Sequence, residues 1–567
     1  MASLYAKKVN GGTYYYLREM ARVDGKPKRV SERYPGTAAE IEAAMAAREQ
    51  ALLPERVRHL PFGDVAAVWD VLGELDVVAI VDAVVGSRRA DAGASVGTYP
   101  ALATLGRVVA PCSKAAFADW WATTVGDRIA RVAPEALDHR RFWDAMRAVS
   151  LADLVEIERR ISAAMIERFA LDVSALALDM TNFATHIDSG NDKAPIAQRG
   201  KAKQKRADRR LVGLGLVVTR DGGILLPSHA YPGDRPDVTQ FAAMVDELCA
   251  RHAALAADGG TEPGDVRVVF DAGQNSTANF EHLQASGLHF VGSLPPSDCP
   301  DLPAVPGRSR RVVDADRFGA LSAYDTRRTV YGRDRRVVLT HSATLHAAQS
   351  RGFDQTLAKA CARLTELAAV LARGKARRSR ERLKTVIAGI CHIPWTARVL
   401  RVDLSGDTPA TMRLTWQIDK RARARLETEV FGKRILVTDR DAWPVADVVA
   451  AYRSQSDAEF SFRQLEDPHV VSFSPMHHRT DHNIRVHVFT CVLALTVAHL
   501  MRRQAKLAGQ RLSVPELLHR LGGIAATVLI YPSTGGRPKA RRVLTETTAD
   551  QDRLASIFHL DRYAPRT

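Results

Sequence analysis

Three acidic residues stand where side chains commonly do chemistry. Asp179 closes the apolar run VSALALD, Asp271 closes VRVVFD, and Glu459 lies within AYRSQSDAEFSFRQLE. An apolar, β-branched run that stops at an Asp and turns through small or polar residues delivers that carboxylate to the C-terminal edge of a sheet, where ligands and metals bind. Two such ends on neighbouring strands, faced by a Glu on a helix, form an oxygen-only ligand set suited to hard dications. Taken singly, each acid reads as a solvated strand-end or helix carboxylate. The chain carries 80 Lys and Arg against 64 Asp and Glu, a net charge of +16. Dications held by acids in so basic a chain point to a polyanionic substrate and to chemistry at phosphate.

The elements that must hold these residues follow from pattern. Residues 1–36 carry TYYYLREMARV and KPKRVSERY on either side of Asp24-Gly25 and read as a small basic β-hairpin unit. Residues 37–170 are Ala-rich, with apolar residues at i, i+3 and i+4, and read as a helical domain. Trp120, Trp121, Phe142 and Trp143 fall there; core anchoring is their first reading and a DNA-binding role for the domain the second. Residues 171–294 change period and give the order β-β-β-α-β-α-β, that of a mixed sheet flanked by helices. Gly213 and Gly215 form a G-x-G without a third glycine or a helix start, which speaks against a dinucleotide site. Residues 295–430 read as an inserted, mainly β subdomain with basic arms. Residues 431–505 return to the sheet through a strand ending at Asp439, then a helix opened by Pro444 that carries Glu459. Residues 506–567 form a C-terminal module. On one continuous helix Tyr452, Glu459 and Glu466, seven residues apart, drift by only about 20° per step and share a face.

Bulk properties narrow the class. At 567 residues and 46% hydrophobic content the chain can build several ordinary cores. Cys112, Cys249, Cys299, Cys361, Cys391 and Cys491 are scattered with no close pair, so neither a disulfide framework nor a thiolate zinc site is expected. The apolar stretch Val486–Met501 is broken by His487, closes on Arg502 and Arg503, and reads as a buried helix, not a membrane span. The N-terminus has no apolar signal core, so a cytoplasmic, nucleoid-associated protein is expected.

Basic clusters suggest where a polyanion would lie. Arg199, Lys201, Lys203, Lys205, Arg206, Arg209 and Arg210 fall within twelve residues against one Asp, a density that favours a phosphate track over a plain solvated loop. Arg373–Lys384 and Lys420–Arg425 are further runs for which the two readings balance. His478, His482 and His487 have a spacing zinc could use, but no thiol accompanies them.

Taken in order, these motifs resemble bacterial insertion-sequence transposases of the DDE class, in the group with a Tyr-Arg-Glu-Lys signature. The parts that carry the resemblance are Asp179-Met180-Thr181, Asp271-Ala272-Gly273, Ala451-Tyr452 seven residues before Glu459, the Glu-x-x-Phe-Arg of Glu459 to Arg463, and the run from His478-Arg479 to Ile484-Arg485-Val486-His487. The resemblance implies an RNase H-like core interrupted by a β-rich insertion before the final Glu. It implies Asp179, Asp271 and Glu459 as catalytic ligands of two Mg²⁺ ions, replaceable by Mn²⁺, and metal-dependent cleavage at transposon ends with strand transfer into target DNA. It further implies a homodimeric synaptic complex on double-stranded DNA, with Tyr452, Arg453, Arg463, His478 and Arg479 as contacts beside the track of Lys201, Lys203, Lys205 and Arg206. Two positions depart from the signature: Gln455 stands where Arg is expected, and Glu466 where Lys is expected. Alternatives are a nuclease with the same core that cuts without joining, and a catalytically inactive DNA-binding derivative.

Overall fold

The structure, a computed structural model, describes residues 2–23, 25–86, 94–173, 175–188, 190–201, 208–259, 267–374, 379–393, 395–467, 470–471, 473, 476–532 and 539–565. At the N-terminus β1 (Ala2–Val9), β2 (Gly12–Val23) and β3 (Lys26–Thr37) form an antiparallel meander, so the expected hairpin gains a third strand in front. Next come β4 (Arg56–Pro61) and a helical region running to the helix Leu151–Phe169, which opens with a reciprocal cap between Ser150 and Asp153. Of the aromatics of this region two are core anchors, Trp120 is partly buried, and Trp143 is 38% exposed. Trp121 and Phe142 are fully buried, and the Trp121 indole donates to the Val132 carbonyl at 2.9 Å.

The central sheet is built from β5 (Ala175–Ala184), β6 (Leu211–Thr219), β7 (Leu225–Pro232), β8 (Arg267–Phe270), β9 (His289–Leu294), β10 (Arg311–Val312), β11 (Leu321–Val330) and β12 (Arg333–Ser342). After the hairpin of β13 (Leu400–Ser405) and β14 (Arg413–Ile418), β15 (Lys433–Thr438) completes it in the order β10-β11-β12-β15-β9-β8-β5-β6-β7. Within it β5, β6 and β7 form an antiparallel meander, while β8 and β9 run parallel to β5. That is the RNase H-like arrangement, a mixed sheet with helices on its faces. Every residue of β6 is buried, and Gly213 and Gly215 let side chains cross it closely. A Cβ at Gly213 would lie 2.1 Å from the Tyr231 ring, and one at Gly215 would lie 2.0 Å from the Met244 sulfur.

The stretch 295–430 differs from the mainly β insertion expected. Its strands β10, β11 and β12 belong to the central sheet, and β15 returns beside β12. What stands between them holds more helix than strand: Ala343–Ala372, Arg380–Cys391 and Lys420–Glu429 pack with the single hairpin around a separate core of Phe353, Leu364, Leu371, Leu383, Val399 and Phe431. The alternating strand pattern was confined to that hairpin, whereas the Ala- and Leu-rich run extends to a 30-residue helix.

At the C-terminus β16 (Ala525–Ile530) pairs with β17 (Ala540–Leu544) on one side and with β4 on the other, so the last sixty residues and the early helical region share a sheet. The helix Asp481–Leu507 is long and apolar enough to cross a membrane, but 94% of its most apolar window is buried inside the protein. It is the expected core helix.

Candidate active site

Register brings the first two acids together. In the parallel pair β5–β8 the last partners are Ala177 and Val269, so Asp179 and Asp271 each lie two residues beyond the end of that ladder. Asp179 is half-buried within β5, and its Oδ1 accepts the Met180 N–H at 2.8 Å. Asp271 follows the last residue of β8 and is exposed at the strand end. Its Oδ1 accepts the Ser293 hydroxyl at 2.6 Å and the Tyr452 hydroxyl at 3.3 Å, while Ser293 Oγ itself accepts the Ala272 N–H at 3.0 Å. Pattern alone did not single out Ser293. The signal lies in the β8–β9 register, where Phe270 faces Gly292 and the next pair is therefore Asp271 and Ser293.

The third acid is carried by a helix laid against β5. The helix Gln455–Glu466 is tied down at its first residue, where the Gln455 amide donates to the Leu178 carbonyl at 3.3 Å, one residue from Asp179. Glu459, one turn on, is exposed and lines a cleft of about 340 Å³ with Arg434, Leu436, Tyr452, Arg453 and Gln455. Tyr452, which donates to Asp271, and Gln455, which donates to β5 beside Asp179, line that cleft together with Glu459. Among the described residues, the one group of acidic, imidazole or thiol ligands with atoms all within 4.8 Å of one another is Asp70, Glu74 and His559; the triad carboxylates stand further apart.

The residues fit a hard dication by donor chemistry. Three accessible carboxylates are flanked by the buried oxygens Gln274 Oε1, Asn275 Oδ1 and Gln455 Oε1, none of which has a hydrogen-bond partner.

Tyr452 is not placed as the continuous helix required. The helix ends at Arg453 and a new one starts at Gln455. At the break the Ser454 hydroxyl donates to the Ala451 carbonyl at 2.6 Å, in competition with the helical ladder. The seven-residue face is therefore lost. Tyr452 is 7% exposed and packs among Val291, Leu436, Val448 and Val449, whereas Glu459 and Glu466 point to solvent. Burial raises the Tyr452 pKa, which keeps the hydroxyl protonated as a donor to Asp271. Gln455, which replaces the signature Arg, is only 5% exposed and is spent on the Leu178 carbonyl.

The other expected DNA contacts divide. Arg453 is exposed, with its guanidinium 4.7 Å from the Phe318 ring centroid at the cleft wall, and Arg463 is exposed beside Phe460. Arg479 is exposed; its carbonyl accepts the Asn191 side-chain amide at 2.8 Å. His478 is half-buried, 3.4 Å from Lys114 Nζ, with its ring centroid 4.9 Å from that of His487 and tilted against it. Burial, with Lys114 and Arg107 adding to it, pushes its pKa down to about 3, so at neutral pH it offers a phosphate no charge. Lys201 is exposed near the end of β5, its carbonyl accepting the Asn182 amide at 3.0 Å. Lys203, Lys205 and Arg206 lie outside the described residues.

Comparison with known proteins gives the family. The transposase DDE domain family matches residues 172–497, more than half of the chain. No curated protein matches it. Among solved structures, the cryo-EM structure of the piggyBac transposase synaptic complex with hairpin DNA aligns over 90% of this chain and 85% of that one. Identity there is 9% and the TM-score 0.37, a likeness that by itself fixes neither fold nor activity.

Proposed function

The chain belongs to the family of transposases with a DDE domain, and on that footing we propose that it cuts DNA at the ends of a mobile element and joins the freed ends to target DNA. Members of this family use divalent metal ions. In the proposed reading Asp179, Asp271 and Glu459 hold two Mg²⁺ ions, and the enzyme works in the cytoplasm as a dimer on paired element ends. The observation that carries it is that Asp179 and Asp271 lie at equal steps beyond the last pair of the parallel strands β5 and β8, with the Glu459 helix anchored one residue from Asp179. Bound there, the ions would lower the pKa of an attacking water or 3′-hydroxyl and neutralise charge on the leaving oxygen.

The chain's own groups do the rest. Ser293 and Tyr452 both donate to Asp271 Oδ1, which fixes the carboxylate's rotation and leaves Oδ2 for a ligand. Arg434 and Arg453 line the cleft beside Glu459, where they can bind phosphates flanking the scissile one. Lys201 adds an exposed cation near the end of β5.

The test uses a supercoiled plasmid bearing the DNA that flanks this reading frame. With Mg²⁺, the protein should nick at the element ends and then yield joined products; EDTA should stop both. Nicking without joining would support the nuclease alternative, and binding without nicking the inactive derivative. A second measurement concerns Ser293. Ser293→Ala should slow nicking about tenfold and raise the Mg²⁺ needed for half-maximal rate, with Ser293→Thr restoring both. An unchanged Mg²⁺ dependence in Ser293→Ala would remove the hydroxyl from the site.

A further inference from the structure

The N-terminal meander has an unusual distribution of surface. Of its residues with described burial, only Gly36 is buried. Three strands without a covered face are not expected to persist on their own, so one face must supply its own packing. That face is identifiable. Tyr5 lies opposite Tyr16, and Tyr34 packs beside them, with ring centroids 5.5 Å apart for Tyr5–Tyr16, 5.3 Å for Tyr16–Tyr34 and 6.0 Å for Tyr14–Tyr34. Arg18 lies 4.0 Å over the Tyr5 ring, and Glu32 accepts hydrogen bonds from Tyr5 and Arg29. The tyrosine ladder and its ion pair thus form a small core across all three strands.

The opposite face is bare. Cross-strand pairing places Leu4, Leu17 and Arg33 in one row, Ala2, Glu19 and Ser31 in another, and adds Lys8 opposite Thr13 and Lys28 opposite Ala21. Leu4 is 56% exposed and Leu17 41%. Lys8, Lys28 and Arg33 are exposed and have no acidic partner among the described residues, and Glu19 is engaged by the Ser31 hydroxyl at 3.2 Å. Residues 1–37 hold eight Lys and Arg against three Asp and Glu, a net +5. Two copies of this face would set like charges against each other, so a second copy is a poor occupant.

We propose that this bare face, with Lys8, Lys28 and Arg33 around Leu4 and Leu17, is a docking surface for duplex DNA. The inference rests on the transposase reading only for the identity of the DNA. Three strands at a spacing of about 4.8 Å span about 10 Å, which fits a B-form major groove about 12 Å wide. Ala2, Ala6, Ala21 and Ser31 keep most of the face low, and Tyr15, opposite Ala6, adds one half-buried aromatic at its end, a surface that can enter the groove as strands of other sheet readers do. The cations reach phosphates, and Leu4 and Leu17 meet base edges such as thymine methyls.

The test uses the full-length protein and a duplex of the element end, followed by fluorescence anisotropy across a salt series. The triple variant Lys8→Ala, Lys28→Ala, Arg33→Ala should bind about tenfold more weakly or worse at about 0.1 M salt and flatten the log–log salt slope by about 2.7, roughly 0.9 for each lost phosphate contact. A charge-keeping triple variant, Lys8→Arg, Lys28→Arg, Arg33→Lys, should restore the slope. Lys7→Ala, on the tyrosine face, should leave it as in the native chain. An unchanged slope in the Ala triple overturns the proposal, as does a larger loss for duplex RNA than for DNA, or a shift in oligomeric state without loss of DNA affinity. Nicking at saturating protein separates this from the catalytic reading: the triple variant should then nick at the native rate. If the native chain does not nick at all but the slope still falls, the catalytic reading fails and the docking face stands.

Discussion

Asp179→Asn, Asp271→Asn and Glu459→Gln should each slow Mg²⁺-dependent nicking by about a thousandfold or more, a loss of about 4 kcal/mol of transition-state stabilisation. The changes are isosteric, and the contacts around them explain why the fold should persist. An Asn at 179 can still accept the Met180 N–H, and an Asn at 271 can still accept from Ser293 and Tyr452. Glu459 is exposed on its helix and carries no core packing. What is removed is negative charge at the place where dications must sit. Single-turnover nicking, DNA affinity and thermal melting measured together decide the matter. A variant that nicks near the native rate takes its residue out of the triad, and one that melts early reports a structural acid instead.

Acid should destabilise the protein well before its carboxylates protonate. His487 and His499 are buried on the helix Asp481–Leu507. His499 is fixed between the Gly223 carbonyl at 2.5 Å and the Gln464 side chain, and His487 lies 3.3 Å from the Phe473 carbonyl. Burial pushes the His499 pKa down to about 3 and the His487 pKa well below its ordinary value. Because the folded values lie below the unfolded one near 6.5, the unfolded chain takes up protons first. The stabilisation from keeping both rings neutral is complete above about pH 6.5 and is lost as pH falls toward 3. His478, depressed to about 3 for the same reason, adds to them, and each such ring should make the protein up to about 2 kcal/mol less stable at pH 5 than at pH 8. Urea unfolding at the two pH values measures this, and a flat profile would mean that the rings ionise in place. His499→Gln should remove about a third of the slope.

Part of the acid-bearing edge of the sheet was legible in the sequence. The run before Asp271 is a buried strand that stays apolar up to the residue that leaves it, whereas Asp179, read as a strand end, sits mid-strand because β5 continues past it to Ala184 in its pairing with β6. What sequence could not supply was register and local competition. Ser293 is an ordinary Ser in HFVGSL until parallel pairing sets it beside Asp271. The residues from Pro444 to Glu466 read as one helix because nothing in their types forbids it; Ser454 breaks it by hydrogen-bonding back to Ala451, which turns Tyr452 into the core while Glu459 stays in solvent. The insertion was misread because its two strands alternate clearly, whereas the Ala-rich helices between the core strands have weaker local signatures.

The return of β15 beside β12 makes the helical insertion a graft between the two legs of a hairpin. The Ser342 N–H donates to the Gly432 carbonyl at 2.8 Å, so the residues that leave and re-enter the sheet are already hydrogen-bonded neighbours. The approach is tight enough to require glycine: at φ +76° a Cβ on Gly432 would lie 2.7 Å from the Ser342 carbonyl oxygen. A short turn could therefore bridge the two strands in place of the 89 residues between Ser342 and Gly432 without changing the register of the sheet. Closing a four-residue loop in place of that one would lower the chain-closure cost by about 3 kcal/mol. The catalytic scaffold and its appendage are thus separable in folding, and lineages could exchange the appendage wholesale while the three carboxylates keep their places.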